Sequence, residues 1–267
     1  RTSTLFIGMA PTLSPAAARF PPGLARSRCH GRPGMTLTRV SMTWAEEAST
    51  FEYVMHGQLR VVPPYTHLYL ANAKKRWVGR RVTEVYAEEF PHLDPKDPTR
   101  YFERAVEDGR LTLSGGVKVP VEHLIRDWDK VEHRVHVHEP PVLAQSVEVM
   151  HDGDDLLVVN KPCSLPVHPS GRYRRNTVVG VLAKEQGMHD LHTVHRLDRL
   201  TSGVLLLAKH REASIRVSNA LKQGLARKTY LARISGRFPE DEMHVDAPIA
   251  CESKRETIYT VGAGGKE

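Results

Sequence analysis

Nine consecutive residues, His195-Arg196-Leu197-Asp198-Arg199-Leu200-Thr201-Ser202-Gly203, place a single acidic group between two arginines and lead into the apolar run Val204 to Ala208. Neighbouring positive charge favours the anionic form of a carboxyl, so Asp198 is expected to stay ionised at neutral pH. A carboxylate held in that state serves as a nucleophile or a base, not as an acid. Thr201 and Ser202 offer hydroxyls to nearby backbone, and Gly203 tolerates a positive φ, so the segment reads as a tight turn holding Asp198 at a strand edge. An isolated Arg-x-Asp-Arg would be no more than a salt-bridged loop.

The charge around this segment widens the reading. The 267 residues carry 38 Lys or Arg against 31 Asp or Glu, a formal charge of +7. Spread evenly, that excess would say little. Between His192 and Arg237, however, ten basic residues face only Asp198 and Glu212. A basic excess concentrated around a candidate site is the electrostatic footprint of a nucleic-acid binder, with a solvated charged helix face as the plainer alternative. Cys29, Cys163 and Cys251 are far apart and fit neither a disulfide framework nor a C-x-x-C metal site, which points to a reducing compartment. No apolar run reaches the length of a membrane span, so no membrane partner is expected.

The rest of the chain supplies the scaffold for these groups. Residues 1–45 hold six arginines and no acid, with many Ser, Thr, Pro and Ala, and read as a disordered or transit-like leader, with Met35 or Met42 as alternative starts. Residues 46–75 read as an irregular segment. From 76 to 138 the pattern gives a helix over Val78 to Phe90, a Pro-punctuated loop, a helix over Thr99 to Asp108, and a hairpin over Gly109 to Val119 turning at Ser114-Gly115-Gly116. Glu139-Pro140-Pro141-Val142 reads as a linker at 139–142, because consecutive prolines resist joining either neighbour.

The second domain is read as 143–267. Asp155 to Lys161 is a short buried-type strand, followed by a rigid loop through Pro162 and Leu165 to Pro169. Asn176 or Thr177 can cap a helix running to Glu185 and closed by Gly187, with Val178, Val181 and Leu182 facing the core. Glu212 to Gln223 reads as a helix and Lys228 to Ser235 as a strand. Its period-2 alternation puts Tyr230, Ala232 and Ile234 on one face and Thr229, Leu231 and Arg233 on the other. From spacing alone Tyr230 is a core tyrosine.

These motifs together carry a resemblance. The nine-residue segment resembles the active-site loop of the RluA family of RNA pseudouridine synthases. Lys228-Thr229-Tyr230-Leu231-Ala232, with Gly236 behind it, resembles the family's second motif, whose tyrosine stacks on the target base and is implicated in the proton step. Asn160-Lys161-Pro162 and the loop after it resemble the opening of the family's catalytic domain, with Cys163 and Ser164 where glycine is often seen. Helices followed by a hairpin that begins Asp108-Gly109-Arg110 resemble the S4-like RNA-binding module that commonly precedes it. Leu165 to Gly171, Asn176-Thr177 and the Glu-Pro-Pro-Val segment are similar to the eukaryotic RNA pseudouridylate synthase domain-containing protein 2 type.

The resemblance implies an α+β fold: an S4-like small α+β module, then a mixed, mainly antiparallel β-sheet catalytic domain with flanking helices. It implies isomerisation of uridine in structured RNA, tRNA being expected, with Asp198 and Tyr230 catalytic and close in space. His195, Arg196, Arg199, Thr201, Ser202, Gly203 and Lys228 would bind substrate, and Arg196 would fill the gap left by the flipped base. No metal and no cofactor are implied, and nothing requires more than a monomer. The compartment read is cytoplasm or nucleus, or mitochondrion or plastid if the leader is a transit peptide. The family's third motif, Arg-Thr-His-Gln-Ile-Arg or similar, is not found before Glu267, so the chain is read as a C-terminally incomplete member.

Two rival readings follow from the same residues. The first is an S4-like RNA-binding protein with an incomplete, inactive catalytic half, which predicts salt-sensitive RNA binding without isomerisation. The second is a metallohydrolase built on His133, His136 and His138, which lacks acidic or cysteine partners at ligand spacing; a His-x-His strand is more often a solvated edge.

Overall fold

Apolar residues at strand and helix spacing form two clusters, each roofed by helices. The computed structural model describes residues 3–9, 43–234, 236, 246–253 and 258–261. In chain order these form β1 (Ser3–Met9), α1 (Trp44–Ala48), β2 (Val54–His56), β3 (Leu59–Val61), β4 (Tyr65–Asn72), α2 (Val82–Glu89), α3 (Pro98–Glu107), β5 (Leu111–Leu113) and β6 (Lys130–Val137). They continue with β7 (Val142–Leu143), β8 (Glu148–Asp152), β9 (Leu156–Lys161), α4 (Val178–Gln186), β10 (His192–Thr193) and β11 (Gly203–Ala208). The last are α5 (Arg211–Lys222), β12 (Lys228–Ile234), β13 (Ile249–Ser253) and β14 (Ile258–Val261). The result is a mixed α+β structure in which every strand pairing among the described residues is antiparallel. The chain divides into two units, Leu24–Asn219 and a second made of Arg1–Gly23 with Ala220–Glu267.

In the first unit, α2 and α3 lie on the three-stranded sheet β4-β6-β5. Val82, Val85, Tyr86, Phe102, Ala105, Leu111 and Val131 make the shared core. The helix expected from Val78 starts at Val82, because Gly79 at φ 79° ends the preceding turn. The expected hairpin keeps its turn, with Gly115 and Gly116 both at positive φ, but its return arm shrinks to one bridge, Leu113 to Val117. Pro120 cuts the return arm short, and β5 pairs with β6 instead, Leu111 opposite His133. β6 is therefore a central strand and not a solvated edge. His133 is buried against Tyr86, Tyr101 and Phe102, and that burial lowers its pKa to about 4.

Residues 46–75, read as irregular, contain α1 and three strands. β2 and β3 form a local hairpin turning at Gly57, whose φ is 58°, but the other partners lie far downstream, Leu59 opposite Leu143 and Tyr65 opposite Val137, where no local turn signals them. The 139–142 segment is likewise built in. The buried Glu139 carboxylate accepts the N–H groups of Arg174, Arg175 and Asn176 at 3.0, 2.8 and 2.9 Å and the Tyr65 hydroxyl at 2.6 Å. Glu47 of α1 is also buried. Burial raises its pKa, but Arg174 at 2.7 Å and Arg175 at 3.3 Å outweigh that and hold it below the usual carboxylate range.

The second cluster lies under α4. Leu157, Val159, Leu205 and Leu207 point from β9 and β11 of the sheet β10-β11-β9-β8 toward Val178, Val181 and Leu182. Thr177 Oγ1 caps the helix by accepting the Gly180 N–H at 3.1 Å, and Gly187 closes it at φ 67°. Position 180 has no room for a side chain, since a Cβ there would sit 2.4 Å from the Arg175 carbonyl oxygen.

In the other unit, β1 pairs with β12 from Ser3 opposite Ile234 to Met9 opposite Lys228, and β13 pairs with β14. Ser3–Met9 is thus a strand within the stretch read as a disordered or transit-like leader. Residues 10–42 of that stretch lie outside the described residues.

Glu139→Ala leaves three backbone donors, two of them buried, without an acceptor and is expected to lower the unfolding free energy by about 3 kcal/mol or more. Urea unfolding followed by tryptophan fluorescence measures it; a change within about 0.5 kcal/mol would mean that the Glu139 clamp is dispensable.

Candidate active site

The nine-residue segment connects β10 to β11, at the end of the sheet where Gly203 pairs with Lys161 of β9. Leu197 is buried and anchors the loop, and the next side chain, Asp198, is 83% exposed. The Thr201 N–H donates to the Asp198 carbonyl at 3.0 Å and closes the turn. Gly203 sits at φ 121°, a conformation that disfavours any other residue there. Among the described residues neither the Thr201 nor the Ser202 hydroxyl makes a hydrogen bond, so backbone and not the expected hydroxyls shapes the turn.

Of the two flanking arginines, Arg196 is the ion-pair neighbour, with Nη2 3.7 Å from Asp198 Oδ1. Both side chains are open to water, which screens the attraction. The Arg199 guanidinium lies instead 5.8 Å from the centre of the Tyr173 ring. His195 Nε2 accepts the Leu206 N–H at 3.0 Å and straps the start of the loop to β11.

Beneath the loop sits Lys161, with no exposed surface. Its ammonium donates to the carbonyls of Leu165 at 2.6 Å, Pro162 at 2.9 Å and Arg199 at 3.3 Å. One cation thus ties the end of β9, the loop after it and the Asp198 loop together. Burial pushes its pKa down to about 8, against a smaller opposing pull from Cys163 and Asp198. Cys163 Sγ adds a second tie, 3.0 Å from the Leu200 carbonyl oxygen.

The structure thus brings His195, Arg196, Asp198, Arg199, Thr201, Ser202 and Gly203 into one loop of the first unit. Lys228 and Tyr230 belong to β12 of the other unit. There Tyr230 is 38% exposed, on the strand face that also carries the half-buried Ala232 and Ile234. Sequence reasoning missed Lys161 as a site residue. The signal was present, because Lys161 continues the inward period of Leu157 and Val159, where a charge needs a reason. Among the described residues no group of three or more His, Cys, Asp or Glu is arranged to hold a metal ion, and no helix is long and apolar enough to cross a membrane.

Residues 155–266 match the family described as RNA pseudouridylate synthase, and this segment of the chain belongs to that family. The chain is 40% identical over 198 residues to RNA pseudouridine synthase 7 of Arabidopsis thaliana, covering 74% of this chain and 49% of that protein. It is 38% identical over 244 residues to pseudouridylate synthase RPUSD2 of Homo sapiens, covering 91% and 44%. It is 35% identical over 211 residues to the mitochondrial tRNA pseudouridine(32) synthase of Saccharomyces cerevisiae, covering 79% and 44%. The chain spans about half the length of the curated relatives it matches.

The Lys161 shift has a definite sign. The folded side chain gives up its proton near pH 8, while the unfolded one keeps it to near 10.5, so between those values the unfolded chain binds the extra proton. Stability from this group therefore rises with pH across that window and is flat below it. Denaturant unfolding of the wild type and Lys161→Met from pH 7 to pH 10 is expected to show the wild type gaining on the variant above about pH 8. Parallel curves would contradict the lowered pKa of Lys161.

Proposed function

We propose that the complete protein isomerises uridine to pseudouridine in structured RNA, with Asp198 as the catalytic carboxylate. The observation that carries this reading is the exposed Asp198 side chain, held on a pinned loop inside the segment that matches the RNA pseudouridylate synthase family.

The reaction breaks the bond from the ribose to N1 of uracil, turns the base, and joins the ribose to C5. The C5 proton leaves and N1 gains one, so atoms and charge balance without an electron acceptor. Asp198 acts on the ribose or the base, as nucleophile or as base. The uridine must leave its stack first, at a cost of roughly a few kcal/mol, which favours loops and weak pairs. Arg196, already beside Asp198, fills the gap that the base leaves, and Arg199, His195, Thr201, Ser202, Gly203 and Lys228 complete the contacts to RNA. Tyr230 stacks on the uracil and assists the proton step.

Residues 76–138 serve as an S4-like RNA-binding module ahead of the catalytic domain at 143–267. The two helices over an antiparallel sheet support that assignment. tRNA is the proposed substrate, supported by the name of the yeast relative, and a monomer is the proposed state. That same name supports the mitochondrion as the compartment, as the alternative to cytoplasm or nucleus.

Asp198→Asn is expected to lower conversion by at least roughly 10³-fold while RNA affinity stays nearly intact. Quantifying pseudouridine after nuclease digestion of the RNA checks this, and wild-type turnover in the variant would refute the role. Tyr230→Phe is expected to slow turnover by roughly 10²-fold with little loss of stability; an unchanged rate restricts Tyr230 to stacking.

A further inference from the structure

A cleft of about 450 Å³ opens beside the Asp198 loop, all of it within the Leu24–Asn219 unit, and its size suits a small organic group. Its walls divide by chemistry. Pro166, Val167 and Leu197 supply an apolar floor, Tyr173 a phenol ring, and Arg172, Arg196 and Arg199 three guanidiniums. Among the described residues no carboxylate lines it, Asp198 included.

The cleft is preformed. The Val178 and Val179 N–H groups donate to the carbonyls of Pro166 at 2.8 Å and Val167 at 3.2 Å, which fastens the floor to the first turn of α4. Ser170 and Tyr173 exchange backbone hydrogen bonds of 2.9 and 3.1 Å around Gly171-Arg172, with Gly171 at φ 56°, so a closed turn projects both Arg172 and Tyr173. The Arg199 backbone is fixed through its carbonyl by Lys161, and its guanidinium faces the Tyr173 ring. Arg172 is exposed and has no ion-pair partner among the described residues.

An apolar floor with an aromatic wall accepts a flat ring by stacking, and Arg172 and Arg199, which have no ion-pair partner among the described residues, accept an anion. A nucleotide carries both. We propose that this cleft binds one unpaired nucleotide of the RNA other than the uridine that reacts, its base against Tyr173 and its phosphate on Arg172 and Arg199. Asp198 stands beside the cleft and not in its lining, which favours a neighbour of the reacting nucleotide as the occupant. The cleft then selects RNAs that present a second unstacked nucleotide next to the target. This deepens the RNA-modifying reading and rests on it for the identity of the polymer.

The test titrates the 267-residue chain with a fluorescein-labelled hexamer of adenylate, which contains no uridine and so cannot be isomerised. Tyr173→Ala is expected to weaken binding roughly tenfold, and Tyr173→Phe, which keeps the ring, to bind as the wild type does. Arg172→Ala is expected to weaken binding and to reduce the salt slope by about one; its exposed side chain makes misfolding no explanation. Wild-type affinity in Tyr173→Ala overturns the proposal, as does failure of the wild type to bind the hexamer. A loss confined to Arg172→Ala marks a phosphate contact without a base and overturns it too. Tyr173-dependent binding by a chain that isomerises no uridine upholds the cleft and removes only the proposed reaction.

Discussion

A single buried ammonium holds the candidate site together. Lys161 stands at the last inward position of an apolar strand, where an unsatisfied charge would cost several kcal/mol in a real protein interior. It is tolerated because its three N–H donors meet carbonyls of Pro162, Leu165 and Arg199, drawn from separate turns of chain. That match fixes which backbone arrangement is allowed. The loop after β9 and the loop carrying Asp198 must both bring a carbonyl to the same point, so the exposed carboxylate rests on a rigid base although its own side chain touches little.

The same logic of buried charge joins the parts of the first unit. Glu139 gathers donors from the segment before α4 and from Tyr65 of β4, and Glu47 takes two arginines of that segment. Residues that look like a linker and a nondescript entry segment are therefore braces between the helical module and the sheet of the candidate site. This follows for Leu24–Asn219, where all these contacts lie.

What the sequence made legible was local. Thr177 and Gly187 mark the ends of α4 by cap chemistry, the apolar run after Asp155 becomes β9, and the Asp198 turn forms where glycine and a buried leucine require it. What it hid was non-local. Strand β4 and the second edge of β3 find their partners far along the chain, so neither turn residues nor alternation announces those pairings. His133 carries a polar label but lies in an aromatic core, because β6 is central and its neighbours in sequence do not say so. Lys161 and Glu139 look like surface residues by type, and only the convergence of backbone groups upon them explains their burial.

The most direct test of the account uses RNA carrying tritium at C5 of uridine, since forming the carbon–carbon bond to ribose must expel that hydrogen into water. The complete wild-type protein is expected to release tritium. Lys161→Met, assayed where it remains folded, is expected to release it at least roughly tenfold more slowly with RNA affinity little changed, because the Asp198 loop loses its support. No release by the wild type would contradict the isomerase reading, and equal release by the two proteins would contradict the claim that the buried ammonium positions the site.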